Sequence, residues 1–365
     1  MLTAITAGFL TTGVAADDAS TSLQGSRTIE EVVVTATRRA ASIQDVPIAI
    51  TALTAADIEA TGAQSLQDLA DSVTNMIYPD SAYAGGADIS IRGIFSRVDP
   101  FQVGFDSGFS VYLDGAYLGR SFSNNTDLGE IERVEVLKGP QGTLFGKNTI
   151  AGAISVVSKK PDANNLGASV KVEAGNYGLQ RLRGSVNVPL VDDILAARLS
   201  VQSTKRDGYV QNLTIPGDER GNEDINSARL QVGYTPGEDT AIYLNIDMLD
   251  SKYNPMGGYG IEFTEVTPIA PRADVFVEGV DYDNVPFTTF RDIREPVVQK
   301  NRGISLSMEH RLENGFTLAS ITGWRDDALE TVQDIDALPY DGYQILHRDN
   351  KQKMLTQELR VSSPA

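Results

Sequence analysis

From Ala168 onward the chain alternates in twos. Ala168, Val170, Val172 and Ala174 are apolar while Ser169, Lys171 and Glu173 are polar. The same rhythm returns at Leu182, Gly184, Val186, Val188; at Leu195, Ala197, Leu199, Val201; and at Ala228, Leu230, Val232, Tyr234. It continues through Ile242, Leu244, Ile246, Met248 and through Ile304, Leu306, Met308, with a weaker run from Phe316 to Trp324 and a last one from Leu355 to Ser362. A period of two puts successive side chains on opposite faces, so each run predicts a strand with one apolar and one polar face. About eight strands are predicted with no helix between them, each roughly 9 to 11 residues, the length a tilted membrane strand needs.

Alternation alone does not say which face meets water, since a soluble sandwich reads the same way. The connections favour a barrel. Val191–Asp193, Pro236–Glu238 and Glu313–Gly315 are tight turns, whereas Gln211–Asp224, Lys252–Gln299 and Glu330–Lys351 are long. Short turns at one end and long loops at the other mark outer-membrane barrels, and only the turn at Gly175–Gly178 breaks the asymmetry. Tyr177, Tyr209, Tyr234, Tyr253 and Trp324, near predicted strand ends, are candidates for aromatic girdles.

Before Ala168 the pattern is mixed. Thr54 with Asp57, and Ser65 with Asp68, are spaced as capping boxes, the first predicting a short helix that stops before Gly62. Leu66, Leu69, Ala70 and Val73 follow at helical spacing and predict an apolar face laid on a sheet. Val46–Ile50 and Asp88–Ile94 predict extended segments, and Phe109–Tyr117 a hairpin turning at Asp114-Gly115. Ala82–Gly86, Phe95–Gly108 and Gly119–Asn125 predict loops at one end of that sheet, where Tyr83, Arg97, Phe101, Arg120 and Asn124 are candidate ligand contacts. Ile29–Ala36 is a short β-prone run with no neighbour to pair with, either an edge strand or a strand that adds to another protein's sheet.

Glu130–Pro161 holds two strands, opening at Ile131 and at Ala153, around a glycine-punctuated turn from Gly142 to Gly146, and predicts a small mixed sheet. Its glycines do not make a phosphate loop. Counting back from Gly146-Lys147, that motif needs a glycine at position 141 and Ser or Thr at 148, where the chain has Gln141 and Asn148.

Composition narrows the choice. The 365 residues are 41% hydrophobic and 22% charged, and 31 basic against 49 acidic residues leave a net charge of -18. That balance repels phosphate backbones and argues against nucleic acid as a partner. With no cysteine and only His310 and His347, zinc, iron-sulfur and thiol chemistry are excluded, and no metal site is predicted. No paired carboxylates share a glycine-framed site, so no catalytic residues and no enzyme are predicted. No apolar run reaches the roughly 18 to 20 residues of a spanning helix. The first 16 residues have a short apolar core followed by the small residues Val14, Ala15 and Ala16, the pattern of a signal peptide; its basic start is missing, which leaves a truncated signal or a plain flexible terminus as the two readings.

The stretch EIERVEVLKGPQGTLFGKNTIAGAISVVSKKP, from Glu130 to Pro161, closely resembles the C-terminal part of the plug domain of TonB-dependent outer-membrane receptors. The family signature runs E-R-V-E-V-L-K-G-P-Q-G-T-L-[FY]-G and then G-[AG]-x-[IV], with Gly139, Pro140, Gly142 and Gly146 at its turns. The spelling EEVVVTA resembles the TonB box, which makes Ile29, Glu30, Glu31, Val32, Val33, Val34, Thr35 and Ala36 the implied TonB-binding residues. The resemblance implies a mixed α+β plug domain followed by a transmembrane antiparallel β-barrel, incomplete in this fragment because an eight-stranded barrel has no room for a plug and plugged transporters use about 22 strands. It divides the chain into a signal peptide at 1–16, a periplasmic tail at 17–42, a plug at 43–161 and the first barrel strands at 162–365.

It also implies a gated active transporter of the Gram-negative outer membrane, with TonB, outer-membrane lipid and a small-molecule ligand as partners and no covalently bound cofactor. Family precedent favours an iron-siderophore complex as ligand, with sugars or vitamins as alternatives. Plug arginines of the family pair with barrel carboxylates. By motif position that role falls on Arg92 and Arg133, with Lys138 in support and Glu358 as the candidate barrel partner or else a lumen charge solvated by channel water. A passive porin, which has no use for a box and plug, and a soluble β-rich binding protein or hydrolase are the competing classes.

Overall fold

The computed structural model describes residues 32–35, 37–39, 41–78, 87–98, 106–120, 122, 129–255, 288–289, 291–334 and 345–364, all within one compact unit that begins at Val32. Two sheets dominate it. The first has five strands in the order Ile50–Thr54, Ile131–Lys138, Gly152–Ser158, Phe109–Leu113, Ala116–Leu118. Gly152–Ser158 runs parallel to Phe109–Leu113 and the other neighbours are antiparallel, the mixed sheet that the sequence predicts. The helices Ala55–Thr61 and Leu66–Ala70 both start with a complete capping box, on Thr54 and Ser65, and the first ends on Gly62 in the left-handed region. Leu66, Leu69, Ala70 and Val73 are buried and pack with Ile89, Val111, Val134, Ile154 and Val156 into an apolar core.

The second sheet is a wall of eight strands: Gly167–Ala174, Gln180–Val191, Leu195–Arg206, Glu223–Tyr234, Thr240–Tyr253, Val297–Arg311, Thr317–Asp334 and Ile345–Ser362. Each pairs antiparallel with the next. The first and last pair on one side only, so the wall is an open, unclosed sheet. Its two faces answer which side meets water. Leu199, Leu230, Ile246, Ile304, Leu306 and Leu355 are exposed on the outside, while Gln202, Thr204, Arg229, Gln231, Asn245, Asn301 and Arg325 are buried on the inside. In water that arrangement is unstable; with hydrocarbon outside and a polar interior it is the arrangement of a membrane barrel wall.

Several expectations need correction. Asp88–Ile94 is not one strand but the hairpin Ala87–Ile91 and Ile94–Val98, folded at Arg92 (φ 53°) and Gly93 (φ 75°), so part of the predicted Phe95–Gly108 loop is strand as well. Gly142–Phe145 is a single helical turn closed by Gly146 at φ 81°. The wall strands reach 18 residues, longer than predicted, and absorb both ends of the Glu330–Lys351 segment. Where strands rise beyond the apolar band both faces are polar, and hydrophobic periodicity no longer sees them. Trp324 pairs across to Leu355 in mid-strand rather than near a strand end, one outward row from Arg302, Asp326 and Lys353, and Tyr253 packs inward on the cluster of Phe122, Val297 and Leu329.

Candidate functional site

The N-terminal run does not stand free. Val33–Val34 forms a two-residue antiparallel pair with Ala41–Ser42. Val34 is fully buried among Tyr112, Leu137, Phe145 and Ala153, so the run is pinned on the face of the five-stranded sheet that carries the signature turn. Burying a valine completely is worth about 1.5–3 kcal/mol relative to exposure. Ile29, Glu30, Glu31 and Ala36 lie outside the described residues, as does the predicted signal segment.

Polar contacts fasten the end of this run. The Thr35 amide donates to both carboxylate oxygens of Glu135 at 3.0 and 3.1 Å, and its hydroxyl approaches the same oxygens at 3.1 and 3.3 Å. Glu135 is completely buried, and its other partner is Arg133 Nε at 2.8 Å. A buried carboxylate is tolerated only when its lone pairs are filled, so Thr35 and Arg133 together make Glu135 affordable inside the fold. Because Glu135 sits on Ile131–Lys138, which pairs with Ile50–Thr54 on one side and Gly152–Ser158 on the other, anything that displaces Thr35 acts on an inner strand of the plug sheet.

Arg38 is a second fastener. Its guanidinium lies 4.1 Å from the Phe145 ring centroid and 5.2 Å from that of Tyr112, its Nε donates to the Leu144 carbonyl at 3.1 Å, and its Nη2 meets Glu358 of the last wall strand at 3.4 Å. One side chain thus links the N-terminal run, the signature turn and the wall. Glycine is required inside the plug sheet itself, where a Cβ at Gly152 would collide with the Leu137 carbonyl oxygen of the neighbouring strand.

Among the described residues Arg133 is paired within its own strand with Glu132 and Glu135. Glu358 does face inward, but its partners are Arg38 and Arg360, the latter at 2.7 Å. Arg92 sits exposed at its hairpin tip, where it would crowd a side chain at Gly139. Burial and the neighbouring Arg92 charge hold the Lys138 ammonium below its usual range, so these two cations repel rather than support one another.

Contacts that the sequence did not single out also join the plug to the wall. Glu130 pairs with Arg198 of the third wall strand and lies 4.0 Å from Lys159. Burial alone would raise the Glu130 carboxyl, but the Arg198 hydrogen bond and the charges of Lys159 and Arg198 outweigh it and hold the group below the usual carboxylate range. Asp114, at the hairpin tip with φ 49°, accepts from the Ser158 amide at 2.8 Å and hydroxyl at 2.6 Å, and Gln231 of the wall donates to the same hydroxyl at 2.8 Å. Two readable signals lay there: the Asp-Gly turn fixes where Asp114 points, and a polar residue at an inward strand position, as at Arg198 and Gln231, needs a partner.

Of the candidate ligand contacts, Tyr83, Phe101 and Asn124 lie outside the described residues, and Arg97 is placed only as a strand position opposite Asp88. Arg120 donates through Nε to Gln352 at 2.8 Å and so touches the wall. Among the described residues no group of His, Asp or Glu is arranged to hold a metal ion.

Residues 42–153 match the family model for the TonB-dependent Receptor Plug Domain. The chain is 36% identical over 151 residues to the vitamin B12 transporter BtuB of Vibrio vulnificus, covering 41% of this chain and 24% of that protein. It is 27% identical over 220 residues to the pesticin receptor of Yersinia enterocolitica, covering 59% of this chain and 30% of that one. Among solved structures it resembles the ferric yersiniabactin uptake receptor FyuA from Yersinia pestis, with a TM-score of 0.69, 18% identity, and coverage of 86% of this chain and 45% of the receptor. These relatives are transporters and receptors rather than enzymes, and the chain spans less than a third of the curated ones that it matches here.

Proposed function

The chain belongs to the TonB-dependent receptor family, with its plug and unclosed barrel wall, and from that premise we propose that it takes up a scarce ligand, an iron-siderophore complex, across the outer membrane. TonB supplies the work by pairing with Ile29–Ala36 in the periplasm. One observation carries this reading: the run is already docked as a strand, by Val34 in an apolar pocket and by Thr35 on the buried Glu135. Pulling it away removes two of the donors that make Glu135 tolerable and tugs on an inner strand of the plug sheet. A passive pore gains nothing from such a device.

Support for iron comes from the catecholate siderophore receptor Fiu of Escherichia coli and the ferric yersiniabactin uptake receptor among the relatives. The vitamin B12 transporter motivates a second reading, uptake of a corrinoid. Radiolabelled uptake by cells expressing the full-length protein separates them. Iron-siderophore accumulation that disappears when TonB is deleted, or when Ile29–Ala36 is removed without change in outer-membrane abundance, is the expected result. Accumulation of cobalamin alone would move the assignment to the second reading, and uptake indifferent to TonB would overturn both.

A further inference from the structure

The plug hairpin Phe109–Leu118 meets the wall in two different ways. Toward Thr317–Asp334 and Ile345–Ser362 the fit is close and runs through glycines. A Cβ at Gly115 would lie 2.8 Å from Ile321 Cδ1, and one at Gly119 2.6 Å from Met354 Sδ. A Cβ at Gly323 of the wall would lie 2.9 Å from Thr356 Oγ1 and 3.4 Å from the Ala116 Cβ. Arg120 adds its 2.8 Å bond to Gln352 on the same side. Missing side chains let the two backbones approach there.

Toward Glu223–Tyr234, Thr240–Tyr253 and Val297–Arg311 the same hairpin borders two cavities, which share Leu113, Arg229, Asp247 and Arg325 in their linings. Arg229 is 8% exposed and its Nε has no hydrogen-bond partner. Among the described residues its guanidinium has no ion-pair partner. Asp247 is its cross-strand neighbour, but both Asp247 oxygens are held by Arg325, at 3.2 and 3.1 Å. Arg325 reaches them across Gly303, where a Cβ would collide with both groups. A guanidinium has donors only and is costly to bury unpaired, so this side of the seam favours a negatively charged acceptor. The plug contacts that flank it are polar, Ser158 with Gln231 and Glu130 with Arg198. Water can replace such contacts when the surfaces part.

We propose that the seam between plug and wall opens on one side only. The hairpin stays on Thr317–Asp334 and Ile345–Ser362, and the ligand passes beside Glu223–Tyr234, where Arg229 contacts an anionic oxygen of it. This rests on the transport reading given above and adds to it the route and the sign of the cargo's charge.

The test measures TonB-dependent radioiron uptake by cells carrying the full-length receptor in a cysteine-free background, with iron supplied as an anionic ferric tris-catecholate or a neutral ferric tris-hydroxamate. Ala116→Cys/Gly323→Cys sets two Cβ atoms near the disulfide separation of about 3.5–4.5 Å and so staples the close side. Uptake after oxidation should stay within about twofold of that in reduced cells, and a loss of about tenfold or more that reductant restores overturns the proposal. Ser158→Cys/Gln231→Cys bridged by a short bismaleimide holds the other side shut, and uptake should fall at least about tenfold below that of unbridged cells. Unchanged uptake in bridged receptor overturns the proposal. Each pair is compared with itself before linkage, and the disulfide arm decides the question where the second pair fails to fold. Arg229→Gln should slow maximal uptake of the anionic complex about tenfold without changing its equilibrium binding or the uptake of the neutral complex, while Arg229→Lys keeps the natural behaviour. Equal loss for both complexes, or none for either, overturns the role of Arg229. A natural receptor with no TonB-dependent uptake defeats the transport reading itself, whereas natural uptake that the close-side disulfide abolishes defeats only the one-sided seam.

Discussion

The plug sheet and the wall are written in the same two-letter alternation and solve opposite problems. In the plug, Val134, Val136, Ile154 and Val156 point into an apolar core and the sheet behaves like one from a soluble protein. In the wall, Leu230, Ile246 and Ile304 face outward, and Gln231, Asn245 and Arg325 are the buried side. The pattern fixes a two-faced sheet; the solvent on each face decides which half of the pattern is the core. The plug then becomes the polar filling that the inward face of the wall requires, through Glu130 with Arg198, Ser158 with Gln231, and Arg38 with Glu358.

Perturbing both cores makes that contrast measurable. Ile154→Ala, at a completely buried plug position, should cost about 2–5 kcal/mol of local stability. Native-state hydrogen exchange of the full-length protein should show it in the plug strands and not in the wall. Ile246→Arg, on the lipid face, should cost about 2–4 kcal/mol near mid-bilayer. The reading is a denaturant titration of folding into vesicles, and the same substitution would be mild if that face met water.

Glu135→Gln weakens the docking of Thr35 by about 1–3 kcal/mol. A spin label at the N-terminal run should become mobile while the wall folds normally. The Glu130–Arg198 contact gives a smaller, pH-dependent effect. The folded carboxyl of Glu130 is held low, so its contribution is present above the ordinary carboxylate range and is lost as pH falls through the lower folded value. Plug protection in hydrogen exchange should decline across that acid window, and Glu130→Gln should flatten the decline. Smallest is Arg38 with Glu358, where the carboxylate side chain is 37% exposed; a Glu358→Gln change should cost roughly 0–1 kcal/mol.

Much of the fold was legible because its signals are local. Capping boxes at Thr54 and Ser65 and the Asp114-Gly115 turn are decided by three or four neighbouring residues. The outward face became readable from turn lengths, which report the two sides of a membrane. What stayed hidden is long-range. Nothing near Arg133 in sequence says that it serves Glu135 on behalf of Thr35, nor that Arg38 reaches a strand 320 residues away. The hairpin at Arg92-Gly93 was missed because Ile89, Ile91 and Ile94 read as one extended run, and only the positive φ at both tip residues separates them.

The docked N-terminal strand can be probed in whole outer membranes by the rate at which a membrane-impermeant thiol reagent labels Val34→Cys, in a chain that has no other cysteine to react. Slow labelling that speeds up when Glu135 is also changed to Gln is the outcome expected of a strand held in the plug. Rapid labelling that ignores residue 135 would mean that the strand is free, and that Glu135 is not what holds it.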